Sequence, residues 1–431
     1  MSQHEQFRSL IGRIESKRGR TATLANYVNG SPRRAYLSTD ARKALEGQID
    51  RLSVNWPRLI LTAMSDRLRV QGLQRNGSDA PELWDAWVRA GGPEASERMI
   101  HDRLAYGQAF MSVWTTEQGQ PFVMVDSPAT MAVSVSALTG TVQSAVRTWI
   151  DGDESHALHY TPEAVHHYRT GTAAAVAGSD WTLHRTTPHK LRAVPVVPFT
   201  RRMSADDWSG VSAIEDVLPL VDAQNKLMAD MLTSSEYVAR PRRWATGLEI
   251  QEDEDGNPVD PFGDSRLLQS EAPETKFGQL PAGDLSGYAE PIRLLTEQIA
   301  AIAGLPPSYL GLHGQQTANA EGTRAAETQL TSRAYNEQRA MNSGIGRAAA
   351  IVAAFASGRP LADDMIVPSW ESPEIRTEGQ ASDSAQKLHA MGVPLEVLLS
   401  EVMHWSPEQV RAASEGARKA ALDNLARSIT S

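Results

Sequence analysis

VSAIEDVLPLVDAQNKLMADMLTSSEYVA, residues 211–239, sets Val211, Ile214, Leu218, Val221, Asn225, Met228 and Leu232 at alternating steps of three and four. That alternation is a heptad seam, the pattern that lays one helix lengthwise against another. A second seam, Leu285, Tyr288, Ile292, Leu295, Ile299 and Ile302, repeats it. The two predicted helices bracket residues 240–284, a polar, acidic, turn-rich segment too small for a core of its own. Pro219 predicts either a bend in the first helix or a start beyond it. Pro291 predicts that the regular part of the second begins there. Asn225 weakens the seam but can fix its register. Periodicity alone does not separate packing within a subunit from packing between subunits.

Composition narrows the classes. The chain has 431 residues, 41% hydrophobic and 22% charged, as a folded protein does. That length predicts roughly two to four domains. It has no cysteine, which excludes disulfides, thiolate metal sites and a cysteine nucleophile. The net charge of −10 argues against gripping nucleic acid with the whole surface, though not against letting it pass. The longest apolar run, residues 348–356, falls far short of the ~20 residues that span a bilayer. The opening MSQHEQFRSL has no apolar centre for a signal peptide, so neither secretion nor membrane insertion is expected.

Working outward, residues 4–18 read as a short polar helix, followed by turn signals at Asn29-Gly30 and Ser31-Pro32. Residues 40–70 read as helix broken near Trp56-Pro57, and 81–106 as two helices split by Gly91-Gly92-Pro93. From Gly107 to Thr200, short β-branched and aromatic runs separated by turns predict a mostly antiparallel sheet. Helices first and strands after make an α+β domain. Asp255-Gly256 suggests a hairpin within 240–284. Gly304 and Pro306-Pro307 stop the second seam helix. A polar, glycine-containing loop follows, then a long alanine-rich helix capped by Thr317 or Asn319 and running to about Ser357. Residues 365–370 read as one more strand, and 381–391, 394–405 and 407–427 as helices, the last opened by Ser406-Pro407-Glu408-Gln409.

Catalytic motifs are sparse. There is no GxxxxGK[ST], HExxH or GxSxG. Residues 344–349 match GxGxxA by letters, but they lie inside a helical run and follow no strand, so close helix packing is the better account. His156, His159, His166 and His167 lack a repeated ligand spacing and read as surface or packing residues. Residues 253–257 look like a calcium loop with its glycine in the wrong place, hence an acidic turn. Arg240, Arg242, Arg243 and Trp244 could contact phosphate or an acidic partner, or form an ordinary salt-bridged helix exit. No cofactor or metal is expected.

Several blocks, in this order and spacing, resemble a known family. They are Tyr27-Val28-Asn29-Gly30, Asn55-Trp56, residues 66–72 (DRLRVQG), residues 82–87 (ELWDAW) and residues 106–110 (YGQAF). Then come residues 194–199 (VPVVPF), Gly210-Val211-Ser212, residues 239–244 (ARPRRW) and the Gly-Leu-Pro-Pro linker at 304–307. Together they are similar to the portal proteins, or head-to-tail connectors, of tailed bacteriophages, of the long-tailed actinobacterial phage type.

The resemblance implies an α+β portal-type subunit with an α+β wing, a two-helix stem, a small α/β clip and a helical crown. The wing would be residues 1–210, the first stem helix 211–239, the clip 240–284 and the second stem helix 285–304. A tunnel-loop region would take 305–320, a long helix and return to the wing 321–380, and the crown 381–431. Leu218, Val221, Asn225, Met228, Ile292, Leu295 and Ile299 would pack the stem. Gln315, Gln316, Thr317, Asn319 and Arg324 would face the DNA channel, and Arg240, Arg242, Arg243, Trp244, Glu252 and Asp253 would dock partners.

The implied function is a ring, usually of twelve copies, at one capsid vertex, through which viral DNA is packaged and ejected. Implied partners are the chain itself, the terminase large subunit, a head–tail adaptor, the major capsid and scaffolding proteins, and double-stranded DNA passing without sequence preference. The implied location is the virion, with the host cytoplasm during assembly. In such a family ATP hydrolysis belongs to the terminase, which suits the missing P-loop, and no enzymatic activity is expected. A low-friction passage also suits a net acidic chain with a polar loop, because each phosphate contact adds salt-dependent affinity. The alternative is a monomeric or dimeric enzyme with its site in the N-terminal α+β domain.

Overall fold

The computed structural model describes residues 3–31, 53–172, 176–204, 208–239, 243–247, 274–279, 285–312, 320–374, 378–403 and 405–430. They fall into two compact units. The first holds Met1–Gly30, Asn55–Leu218 and Ala300–Ser431, and the second Ser31–Val54 and Pro219–Ile299.

In the first unit, helix α1 spans Gln3–Val28. It is neither short nor wholly polar, as its opening residues suggest. Phe7, Leu10, Ile11 and Ile14 share one helical face and are at most 2% exposed. They meet Ala132, Val146, Ala157, Tyr168 and Trp181 in one apolar cluster. Charged residues on the opposite face hide that stripe from a composition reading. Gly30 has a positive φ; of the helix expected over 40–70, residues 40–52 lie outside the described residues, and helix α2 is Trp56–Ser65. Asn55 caps α2 by accepting from Arg58 N at 3.0 Å, and its Nδ2 donates to Val28 O at 3.0 Å.

Strand β1 (Val70–Arg75) and the two-residue β2 (Ser78–Asp79) follow, then helices α3 (Pro81–Arg89) and α4 (Gly92–Tyr106). Next come β3 (Gln108–Thr115), β4 (Pro121–Asp126), β5 (Met131–Val135), β6 (Val142–Asp151) and β7 (Glu154–Tyr160). β8 (Ala164–Thr170), β9 (Thr182–Pro188) and β10 (Val196–Thr200) complete the run of strands. β5 to β9 form one antiparallel meander in chain order. β10, β3 and β4 form a second sheet, in that order. Phe110, Tyr160, Val165 and Val196 join the two in a second apolar cluster. The expected antiparallel strands are present.

The second unit contains helix α5 (Leu218–Ala239) from Pro219 on, strands β11 (Arg243–Thr246) and β12 (Lys276–Gln279), and helix α6 (Ala289–Ala303) as far as Ile299. β11 and β12 pair antiparallel, Trp244 opposite Gly278.

Helix α7, Ala320–Ser357, belongs to the first unit, which the chain re-enters at Ala300. Leu330, Ala334, Met341, Ile345, Ala348 and Val352 recur at helical spacing and are fully buried. A Cβ on Gly346 would lie 1.9 Å from Ile366 O, and one on Gly344 would lie 2.4 Å from the Phe199 ring. The GxGxxA letters are therefore a close-packing device. Ile366 opens strand β13, Ile366–Trp370, which pairs antiparallel with β1. Helix α8 (Glu378–Ala390), a helical turn at Leu395–Val397, a π-turn at Leu398–Val402 and helix α9 (Pro407–Thr430) end the chain.

Candidate functional site

Those of the expected site residues that the structure describes lie on α5, α6, β11 and the start of α7. Residues 211–214 are not helical, although the seam reading starts the helix at Val211. Ser212 is 2% exposed, and its hydroxyl donates to Ala105 O at 2.7 Å. Ala213 N donates to Leu104 O at 2.8 Å. These residues satisfy the orphan carbonyls that end α4, so they cannot also begin a helix. A 3-10 turn, Glu215–Val217, comes first, and Pro219 then falls at the second position of α5, where its missing N–H is harmless.

Gly107 and Gly210 explain why two of the resembling blocks carry glycine. Both have positive φ, 80° and 79°. A Cβ on Gly210 would lie 2.1 Å from Gly107 O, so the two backbones cross where no side chain fits. Arg20 spans the crossing, pairing with Glu215 at 2.6 Å and donating to Gly210 O at 3.1 Å.

Within the second unit, Val221 (1% exposed), Asn225 and Ile299 are buried. Leu218, Met228, Ile292 and Leu295 are half-buried. Ile302, at 41% exposed, is not covered as the seam reading expects. Asn225 Oδ1 accepts from Val54 N at 3.3 Å. Two polar contacts that the seam does not reveal join the helical segments. Buried Gln224 donates to Thr296 Oγ1 at 3.1 Å, and Ser234 Oγ lies 3.0 Å from Tyr288 Oη. Thr296 passes its own hydroxyl proton to Ile292 O at 2.8 Å. The signal in sequence is faint: a glutamine beside the seam asparagine and a threonine one position past Leu295.

Arg243 and Trp244 stand in β11. Trp244 is 42% exposed and lies over Gly278, where a Cβ would come within 2.3 Å of its ring. Phe277, beside it in β12, is also exposed. Arg240, Arg242, Glu252 and Asp253 lie outside the described residues, as does the expected turn at Asp255-Gly256. The same holds for Gln315, Gln316, Thr317 and Asn319, while Arg324 belongs to α7 with its side chain undescribed.

The flanks of the 313–319 segment are described, and they are joined. A 3-10 turn, Pro307–Leu310, precedes it, and α7 follows. Tyr309 Oη donates to Glu327 Oε1 at 2.8 Å. Arg67 reaches both, at 3.1 Å from Tyr309 Oη and 3.3 Å from Glu327 Oε1. Burial pushes the Tyr309 hydroxyl up, so it remains a proton donor to the carboxylate. Nearby, Arg333 donates to Ala303 O at 2.6 Å and Ile302 O at 3.1 Å, capping the end of α6.

Further along α7, Glu337 pairs with Arg103, which has a side chain 3% exposed, and with Arg201 at 2.8 Å. Burial raises its carboxyl, but the two guanidiniums outweigh burial and hold it below the usual range. None of these charges stands out in sequence, because an isolated Arg or Glu reads as surface.

The histidines form a packed group. Trp149 stacks on His156 and His167 at 5.1 and 5.7 Å, and His156 Nδ1 lies 3.1 Å from His167 Nε2. His159 is fully buried against Phe7, and burial lowers its pKa to about 4. Among the described residues no group of three His, Asp or Glu could hold a metal ion. No helix among them is long and apolar enough to cross a membrane.

The family described as phage portal protein, SPP1 Gp6-like, matches residues 9–420. The portal protein of Mycobacterium phage L5 is 27% identical over 362 residues, covering 79% of this chain and 73% of that protein. The portal protein of Mycobacterium phage D29 is 26% identical over the same span. Among solved structures, the neck of a native gene transfer agent particle, computed with C12 symmetry, has 17% identity and a TM-score of 0.45, covering 92% of this chain and 98% of that one.

Proposed function

The chain belongs to the SPP1 Gp6-like family of phage portal proteins, and from that membership we propose that its copies close into a ring, of twelve, around a channel at one capsid vertex. Viral DNA enters through that channel during packaging and leaves through it at ejection. The observation that carries the reading is the family match across residues 9–420. The portal proteins of the two mycobacterial phages support it over 79% of the chain.

On this reading the first unit supplies the wing and the C-terminal helices supply the crown. α5 and α6 are the stem, with Gln224 and Thr296 fixing their register. The β11–β12 pair belongs to the clip. A lone two-stranded ribbon is marginal in water. Exposed Trp244 and Phe277 give it apolar surface for sister clips to cover. The tunnel loop lies in residues 305–320, with Tyr309, Glu327 and Arg67 tied together at its flanks. The channel passes duplex DNA without base readout. Terminase and a head–tail adaptor dock at the clip in turn, and capsid and scaffolding proteins meet the ring during assembly in the host cytoplasm.

The test is assembly followed by packaging. Deleting 312–318 leaves rings intact and impairs packaging or DNA retention. Loss of rings from that deletion makes the loop a core element and removes its channel role.

A further inference from the structure

Under the N-terminal turns of α1, His159 is fully buried, and among the described residues neither of its ring nitrogens has a hydrogen-bond partner. Phe7 covers it, with ring centroids 5.7 Å apart. Tyr168 stacks on the same phenyl ring at 4.2 Å, and Trp181 meets it edge-on at 5.7 Å. A buried imidazole with no partner is tolerable only while neutral, because a charge there has no water and no counter-ion.

Two more histidines surround that cover, and both make contacts that need a neutral ring. His166 lies across the ladder from His159, its ring centroid 6.0 Å away. Its Nε2 is 2.8 Å from Gln3 Nε2 on α1, and its Nδ1 is 3.0 Å from Thr186 Oγ1 on β9. The Gln3 amide nitrogen can only donate, so His166 Nε2 accepts, and protonation there removes the bond. His4 stacks on Phe7 at 6.3 Å, and its Nε2 accepts from Arg8 Nε at 3.1 Å. Opposite His159 on β6 stands Val146, which offers no charge. The carboxylates on these elements are Glu5 on α1 and Glu163 in the β7–β8 turn. Burial lowers the pKa of His166, and Glu163 opposes that shift. Met1 and Ser2 lie outside the described residues.

We propose that residues 3–11 form an acid-released latch, in which protonation of His159, joined by His166 and His4, undocks the start of α1 from the meander before the rest of the unit unfolds. The strands are locked by backbone ladders, whereas α1 meets them through side chains. A helix end held in that way is the least costly part to open. Undocking gives His159 water for its charge and separates Arg8 and the protonated histidines. At neutral pH all three rings can stay uncharged, and the latch is closed.

The test is hydrogen exchange of the purified full chain, read by mass spectrometry at about pH 7.5 and about pH 5 and corrected for the intrinsic rate. Residues 3–11 are less protected than residues 341–352 of α7 at both pH values, because they open without the rest. Their opening rises about thirtyfold at the lower pH, the factor set by a site that titrates at about 4 when docked and at 6.5 when free. His159→Phe and His159→Leu each remove most of that rise with circular dichroism unchanged. No rise in the wild type, a rise undiminished in both variants, or protection of residues 3–11 equal to that of 341–352 overturns the proposal.

Discussion

Tyr309 donates to Glu327 across the two flanks of residues 313–319, at 2.8 Å. The carboxylate also faces Arg67 at 3.3 Å, and both charged side chains are about one-tenth exposed. Buried pairs are costly to break from one side, because the surviving charge is stranded. Glu327→Gln therefore destabilises the chain by about 3 kcal/mol. Tyr309→Phe costs about 1 kcal/mol, the loss of one hydrogen bond. Urea unfolding of both variants checks the ranking, and a larger loss from the tyrosine variant contradicts it.

Glu337 carries a pH signature. Its carboxyl is held below the ordinary carboxylate range in the folded chain by Arg103 and Arg201, against the opposing effect of burial. Its contribution is full above the unfolded value and disappears as pH falls through the folded one. Glu337→Gln removes that acid-side loss and lowers stability at neutral pH by about 3 kcal/mol, because Arg103 is left buried and less compensated. Urea midpoints at neutral and acid pH measure both effects. Parallel pH curves for wild type and variant contradict the assignment.

His159 acts in the same direction for the opposite reason. Burial holds its imidazole at about 4, against an ordinary 6.5, so the unfolded chain takes up the proton first. Stability is unaffected above the ordinary value and declines as pH falls from 6.5 to about 4, by ~3 kcal/mol in all. His159→Phe flattens that decline, and an unchanged slope contradicts the burial account.

The interior of α7 was partly legible. Its alanines, its length and the packing glycines follow from the letters, but the partner of Gly346 does not. That partner is the Ile366 carbonyl, on a strand that pairs with β1, nearly 300 residues earlier in the chain. Gly346→Ala forces the strand and helix apart and costs about 1–3 kcal/mol by overpacking. Gly287→Ala, where a Cβ meets nothing within 4 Å, serves as the control. Comparable melting temperatures for the two variants remove the close-approach argument.

Other features divide along the same physical line. Local periodicity exposed Val221, Asn225 and Ile299, because burial repeats with the helix. It overextended the first seam helix, because Ser212 and Ala213 are claimed by the end of α4, a contact made about 110 residues away in sequence. It undersold α1, whose apolar face is a narrow stripe among charges. The Arg103–Glu337–Arg201 and Arg67–Glu327 groups were invisible for a different reason. A charge buried by a distant partner has the same letter as one on the surface.

For the stem, Leu218→Asp and Leu295→Asp each place a charge on a half-buried position of α5 or α6. Each abolishes ring assembly while circular dichroism stays helical. Normal rings from both variants remove the stem assignment.

Mass photometry of the purified chain tests the central claim most directly. A ring of twelve 46.9 kDa chains gives a particle of about 560 kDa, with a central hole in end-on images. A species that stays at 46.9 kDa at every concentration, and that is missing from virus particles, contradicts the account.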